Sequence, residues 1–592
     1  MNPMPKRSIG EHGVIGNLST AALVSLDGAI DFLCWPFFDS PTIFAALLDP
    51  EQGGVFELAP TEPGVHAEQA YHPGTNILVT RWYTSTGIAE MTDFLPLADA
   101  GDPTPPALIR RVEVIDGRVS FSLRCRPRFD YARRRPACRP AGRGVVFEDE
   151  SGLALRLSGS VKIVHGDAEA SAEWTLGEGK AASFVLQDAA VPPPPEAEIT
   201  RGLKHNVERW RAWTGRGVLP QRWRAELMRS ALVLKLLTSH DHGAIAAAVT
   251  FGLPEQPGGG RNWDYRACWI RDGSWSAAAL LRLGHTDEAA AFLAWVRRMH
   301  RRHDGGLQVM AAIDGQNVAA EQTLDHLAGY ASSRPVRIGN GARDQLQLDI
   351  TGEWLDCLAT ADARGVKLRA EDWPEIVTQI GYVCAHWQEA DSGIWEPRRS
   401  NQAHLHSRLM CWVALDRALA LAQDHAWPLP VKLWRQTRDL IHDDIWQNFR
   451  HPTHGYFVQA ADGTDLDASL LMLSLTGFVA DDDPTWIATL DAIGAELVQN
   501  GRVYRYRTTD GLDSGEGSFA PCTFWYAECL ARAGRWEAAE DVMQAGLHLA
   551  NHLGLFAEET AADGTSLGNF PQAMTHLAFI NAALFLAAGP PG

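Results

Sequence analysis

The chain has 592 residues, 46% hydrophobic and 21% charged, with a formal net charge of -19 at pH 7. That is the composition of a globular protein able to bury a large core, and its acidity argues against nucleic acid or an anionic membrane as partner while leaving a neutral ligand open. The nine cysteines are scattered with no CxxC pair, so neither a zinc site nor a disulfide framework is expected, and reduced, mostly buried thiols are.

The N-terminal "MNPMPKRSIGEHGVIGN" has no apolar h-region, and nowhere do about 18 uncharged apolar residues run together, so a cytoplasmic protein is expected. Up to about residue 190 the pattern is short alternating runs, among them "NILVTRWYTS", "ALIRRVEVI", "RVSFSLRC", "GVVFED", "LALRLSG" and "ASFVLQ". Gly, Asp and Pro punctuate them at close intervals, which predicts an antiparallel β-sandwich over residues 1–190. The basic stretch Arg126–Arg139, broken by prolines, reads as a solvated loop rather than a nucleic-acid patch. "VPPPPEAEIT" (Val191–Thr200) can neither pair in a sheet nor continue a helix. It reads as a stiff extended linker, followed by a helix in "LKHNVERWRAWT", the connection spanning residues 191–217.

From 218 to 592 the apolar period is 3.6. About twelve helical segments fall near 221–238, 272–283, 286–301, 344–362, 372–388, 407–423, 429–447, 466–473, 483–499, 517–533, 535–550 and 571–587. The connections "LGH" and "AGRW" are tight, whereas 239–271, 302–343, 388–406, 447–465, 500–516 and 551–570 are long. Long loops in compact domains tend to be functional. Six of them, each entering an even-numbered helix, gather at one end if the helices alternate up and down around a ring. The expected architecture is therefore an all-α (α/α)6 toroid after the sandwich, with an irregular helical bundle as the alternative.

The polar and aromatic oddities fall in or beside these loops. "PGGGRNWDYRACWIRDGSW" (Pro257–Trp275) ends the first of them. Its glycines suggest a phosphate cradle, but the spacing fits neither GxGxxG nor GxxxxGK[ST] and no clear strand feeds it. The stretch carries Asp264, Trp269, Arg271 and Asp272. "SGIWEPRR" places Trp395 and Glu396 in the third loop, "YRYRTTDGLDSGEG" places Arg505, Asp510 and Glu516 in the fifth, and "GLFAEETAADGTSLGNFPQ" places Glu558 and Glu559 in the last. There are 21 tryptophans, whose faces can stack on sugar rings, although core packing is the commoner role. Carboxylates on opposite sides of a pocket suggest glycoside hydrolysis, which needs one protonated acid and one ionised partner.

In "DQLQLDITGEWLDCLA", Asp349 and Glu353 share a helix face, with Asp356 three residues further on. Gly352 costs that helix about 1 kcal/mol relative to alanine, so something should pack close there. An exposed acidic helix, and for Glu558 and Glu559 an acidic loop, are the plain alternatives. No GxSxG occurs. "SHDHG" (Ser239–Gly243) reads as a helix C-terminus with local hydrogen bonds rather than a metal site, and His576 as a satisfied core histidine.

With these residues in view, the sequence resembles glycoside hydrolase family 15, in particular its bacterial trehalase and glucoamylase-like members, over nearly the whole chain. Ile9–Asp49 resembles the trehalase-type N-terminal domain. "RNWDYRACWIRD", "QLQLDITGEWLD", "CWVALDRA", "SFAPCTFWYAECL" and "GLFAEETAADGTSLGNFPQAMTHLAFINAA" resemble the catalytic-domain signatures, in order. The resemblance implies exo-acting, inverting hydrolysis of a neutral α-linked gluco-disaccharide or oligosaccharide, without cofactor or metal. A homo-oligomer is left open. By position it implies Glu353 as general acid, with Asp349 in reserve, and Glu558 as general base. Arg271 and Asp272 would hold hydroxyls of the terminal glucose, and Asp264, Trp269, Trp395, Glu396, Arg505 and Glu516 would line the rest.

Inversion requires carboxyls roughly 6.5–9.5 Å apart. It also requires a protonated Glu353, favoured by burial and by Asp349 or Asp356, and a Glu558 kept ionised by hydrogen bonds. Ala267, Ile270, Thr351 and Thr560 depart from the family pattern and leave the substrate open. Trehalose is the first expectation and an α-1,4- or α-1,6-glucoside the second. A disaccharide phosphorylase and a non-catalytic sugar-binding protein are the alternatives from other classes.

Overall fold

The computed structural model describes residues 7–98, 105–299, 301–398, 400–508 and 515–590; Asp510 lies outside them. Antiparallel strands between His12 and Asp188 form two sheets that share the 20-residue strand Ala107–Arg126. Its first half pairs with Gly87–Phe94 and Ala181–Asp188, and its second half with Val55–Pro60 and Ala170–Gly177. Burial alternates along both halves and lapses at Ile115–Arg118, where the strand leaves one sheet for the other. Arg110, wholly buried, ties the sheets together. Its guanidinium donates to Asp93 on one sheet at 2.8 Å and to the Phe56 carbonyl on the other at 2.7 Å.

The proline run is extended only as far as Pro195. Helix α1 (Glu196–Thr214) starts immediately after it, so the expected linker is shorter than Val191–Thr200. Proline is well tolerated at a helix start, where its missing N–H would be unpaired anyway, and Glu196 and Glu198 complement the positive helix end. Asn206 and Arg209 of α1 hydrogen-bond Leu97 of the sandwich, while Trp213 donates to Glu288 of the helical part.

Twelve helices follow: α2 (Arg224–Leu237), α3 (Ile270–Arg282), α4 (Thr286–Arg298), α5 (Ile350–Ala363), α6 (Trp373–His386), α7 (Leu405–His425), α8 (Val431–Asn448), α9 (Met472–Leu475), α10 (Pro484–Glu496), α11 (Ala520–Arg532), α12 (Trp536–Leu547) and α13 (Ala573–Ala588). Each matches an expected segment. Helix α5 begins later than position 344 because residues 341–344 form a 3-10 turn, and α9 is a single turn preceded by another. Helices α3, α5, α7, α9 with its 3-10 turn, α11 and α13 pack in that order and close back on α3, with the other six outside. Helix α11 of the inner ring is enclosed at every position from Ala520 to Ala531. No described helix is long and apolar enough to cross a membrane.

The long loops are stitched to one another around one end of this toroid. Cys268–Trp269 pairs with Met310–Ala311, Leu348 N–H donates to Asp391, His404 bridges to Ala460, Asp467 to Tyr506, Ser518–Phe519 pairs with Glu559–Thr560, and Gln572 bridges to Ala248. The sandwich abuts the same end: Arg266 donates to the Ser40 carbonyl and Ile313 N–H to Asp39.

Gly352 has the close neighbour its position predicts. A Cβ there would lie 2.1 Å from the Met410 carbonyl oxygen, so α5 and α7 touch backbone to backbone. Gly352→Ala is therefore expected to lower the unfolding free energy by about 1–3 kcal/mol, despite alanine's better helix propensity, in chemical denaturation.

Candidate active site

At the stitched end a cavity of about 440 Å³ is walled by Tyr265, Trp269, Arg271, Asp272, Trp395, Glu396 and Arg505, among others. A second of about 420 Å³ shares Tyr265, Trp395, Glu396 and Arg505 and adds Glu255, Arg261, Trp263 and Arg398. The shared residues make them two lobes of one cleft.

One wall is built on Arg271, in the first turn of α3. Its guanidinium donates to Asp272 at 3.0 Å, to Gln347 at 3.4 Å and to Glu396 at 3.5 Å. Glu396, from the third loop at a φ of 55°, also accepts from Trp269 Nε1 at 2.8 Å and Gln347 Nε2 at 3.2 Å. It remains partly exposed to the cleft and borders both lobes. Burial raises the Asp272 carboxyl to about 6, against the opposing charge of Arg271.

The other wall is built on Arg505, whose Nη2 donates to Glu255 at 2.7 Å, to Glu559 at 2.9 Å and to Glu516. Glu559 is fully buried and also accepts from Gly517 N–H at 2.8 Å. Its neighbour Glu558 accepts from the Asn569 N–H at 3.0 Å and from the Tyr265 hydroxyl. Gly568 is required beside it, since a Cβ there would lie 2.4 Å from Glu558 Oε2 and its φ is +71°. Contrary to the expectation that hydrogen bonds keep Glu558 ionised, burial and then the Glu255 charge raise its carboxyl to about 8.

Several expected lining residues stand elsewhere. Asp264 borders neither lobe; it pairs with Arg266 at 2.7 Å and accepts from Gly339 N–H, fixing the loop against the sandwich. Glu516 holds Arg505 rather than facing the cleft. Asp356 turns to Arg417 at 2.9 Å and does not act on Glu353. Glu353 and Asp349 are fully buried at the start of α5 and border neither lobe; Glu558 is equally buried and meets the cleft only through Tyr265. Burial and the Asp349 charge push the Glu353 carboxyl well up. Burial would raise Asp349 too, but contact with His406 brings it below its usual value.

Tyr265 and Glu255 escaped the sequence reading. Tyr265 lies in the quoted loop beside more conspicuous tryptophans, and Glu255 precedes the glycines in no motif at all. Elsewhere the plainer readings hold. Ser239–Gly243 is closed by its own hydrogen bonds, and His576, buried between Ser230 and the Phe556 N–H, is pushed down to about 3 and stays neutral.

The pattern described as "Glycosyl hydrolases family 15" matches residues 222–545, and "Trehalase-like, N-terminal" matches residues 5–186. The chain belongs to glycosyl hydrolase family 15. A trehalase of Mycolicibacterium smegmatis is 38% identical, across 98% of this chain and 91% of that protein. A trehalase of Thermoplasma acidophilum is 34% identical, across 95% and 97%. The crystal structure of a bacterial glucoamylase complexed with acarbose superposes with a TM-score of 0.74 at 13% identity, across 98% of this chain and 94% of that one, and shares the fold of a sheet-rich domain followed by an (α/α)6 toroid. The two-walled cleft is thus that of a family 15 glycoside hydrolase.

Removing the cation at the centre of one wall of this hydrolase strands three acids. Arg505→Ala is expected to cost about 3–5 kcal/mol at pH 7. Burial already holds Glu255 and Glu559 above their usual values with the guanidinium in place, and its loss pushes both further up, so the cost is small at acidic pH where they are protonated and grows as pH rises. Denaturation midpoints measured at pH 5 and pH 8 check the sign.

Proposed function

We propose that this protein hydrolyses α,α-trehalose to two glucose molecules with inversion, Glu396 donating the proton and Glu558 acting as base. The observation that carries the reading is that Glu396 and Tyr265, the hydroxyl partner of Glu558, wall the same two lobes. In this reading one glucose ring occupies each lobe, and the glycosidic oxygen lies where the lobes meet. Full-length likeness to relatives named trehalases supports the choice of disaccharide. The catalytic part is taken as 218–592, the sandwich as 1–190 and the connection as 191–217; strands ending at Asp188 and α2 starting at Arg224 support that division.

A proton donor must come within hydrogen-bonding reach of the leaving oxygen. Glu396 borders both lobes, whereas Glu353, the donor implied by the sequence resemblance, is enclosed in α5 and acts on the cleft through the charges of Arg271 and Asp272. Arg271 and Asp272 hold hydroxyls of the ring to be attacked. Tyr265 and the Asn569 N–H orient Glu558, whose Oε1 makes no hydrogen bond within the described residues and can take the proton of an attacking water. The water adds to the anomeric carbon as the carbon–oxygen bond breaks, Glu558 takes its proton, and Glu396 gives one to the departing glucose.

Inversion at one ring of an α,α-linked disaccharide yields one β-glucose and one α-glucose. Proton NMR in the first minutes should show the two anomers in equal amounts, and trehalose should be turned over in preference to maltose, isomaltose and kojibiose; initial release of α-glucose alone refutes inversion. Glu396→Gln should cut trehalose turnover by about 10²–10⁴ yet spare α-glucosyl fluoride, whose leaving group needs no proton. If Glu353→Gln shows that selectivity instead, the donor is Glu353.

Glu558 works ionised, so kcat/KM should rise with pH through its raised value, near 8 in the free enzyme. Glu255→Gln removes the main charge opposing ionisation and should move that acid limb to lower pH. A limb unmoved by the substitution would detach Glu558 from the base role.

A further inference from the structure

Behind the Arg271 wall lies a second cluster, none of whose side chains touches the substrate in the proposed hydrolysis. We propose that Asp349, Glu353 and His406 bind one divalent cation of the zinc or manganese type, joining the start of α5 to the start of α7. Asp349 caps α5, Glu353 follows one turn later on the same face, and His406 is the second residue of α7. The Gly352–Met410 contact holds these two helices together at this level. One ligand atom from each side chain lies within 4.8 Å of the others, slightly wider than the ~4.2 Å that two ligands each about 2.1 Å from one ion can span.

The second observation is polar accounting. All three side chains are buried, and no group outside the cluster hydrogen-bonds any of their six oxygen and nitrogen atoms. Within the cluster, His406 Nδ1 stands 3.5 Å from Asp349 Oδ2, long for a hydrogen bond. Buried polar groups are nearly always satisfied, and leaving one unsatisfied costs about 1–3 kcal/mol, more when it is charged.

The cluster Glu255, Glu516 and Glu559 has the same spacing, but there the Arg505 guanidinium donates to all three. At Asp349 and Glu353 no described side chain does the equivalent, because Arg271 is engaged with Asp272, Gln347 and Glu396. One imidazole nitrogen with two carboxylates suits zinc, manganese or ferrous iron better than calcium or magnesium, which prefer all-oxygen shells. His406 also borders a small cavity shared with Gln459 and Asp467. The ion's role is to fix the end of α5 beneath Arg271, not to touch sugar.

The test uses the full-length chain, stripped by a chelator and titrated with Zn²⁺ and with Mn²⁺ by calorimetry, with Co²⁺ absorption as a reporter of nitrogen ligation. One ion per chain, a higher melting temperature when loaded, and affinity at least about tenfold weaker in His406→Ala and Asp349→Asn are expected. Should Asp349→Asn fail to fold, His406→Ala and the wild-type titration decide. Absence of binding to the stripped wild type at millimolar metal, or equal binding by wild type and variants, overturns the proposal.

Discussion

The carboxylates that form the cleft walls are buried, and a cation or a set of N–H donors answers them. Two arginines do most of that work. Arg505 gathers Glu255, Glu516 and Glu559, and Arg271 holds Asp272 and Glu396. Each acid alone would carry a desolvation cost of several kcal/mol; grouped around a guanidinium, they become rigid walls of a cleft whose charges are fixed before any substrate arrives. Preorganised charge of this kind is what a reaction through a positively charged, sugar-like transition state requires.

The walls stay in place because of what lies beneath them. A closed ring of inner helices has no free edge, and bare backbone contact at Gly352 sets the spacing of α5 and α7. The loops above are sewn into a second ring by two-residue strands and single bridges, so a shift in one loop is resisted by both neighbours. The sandwich adds a brace from the side: Asp264, expected to line the cleft, instead pairs with Arg266, which clamps the first loop to Ser40 and Tyr131. The same loop that clamps to the sandwich also carries Trp269 and Arg271 into the cleft, which couples the non-catalytic half to the geometry of the site.

The unevenness of the two walls matters chemically. Glu558 sits in a pocket that disfavours its charge, while Glu396 is exposed to the cleft among donors from Trp269, Gln347 and Arg271. Burial and the Glu255 charge favour a neutral Glu558 in the free protein, so the base role proposed for it calls for pH above that raised value.

Much of this was legible in the residues themselves. The change from period two to period 3.6 at the proline run, and the alternation of tight and long connections, set the order, number and approximate limits of the helices, because burial of an apolar face imprints its spacing on the chain. The polar and aromatic excess of the long loops located the cleft for the same reason in reverse, since those residues have no core to enter. Direction was not legible. Whether Glu353 or Glu396 opens onto the cleft, whether Asp264 meets a sugar or Arg266, and that Tyr265 reaches Glu558 depend on how each helix is rotated in the ring and how each loop folds back. Those are decided by contacts such as Gly352 with Met410, between residues far apart in sequence, which local spacing does not encode.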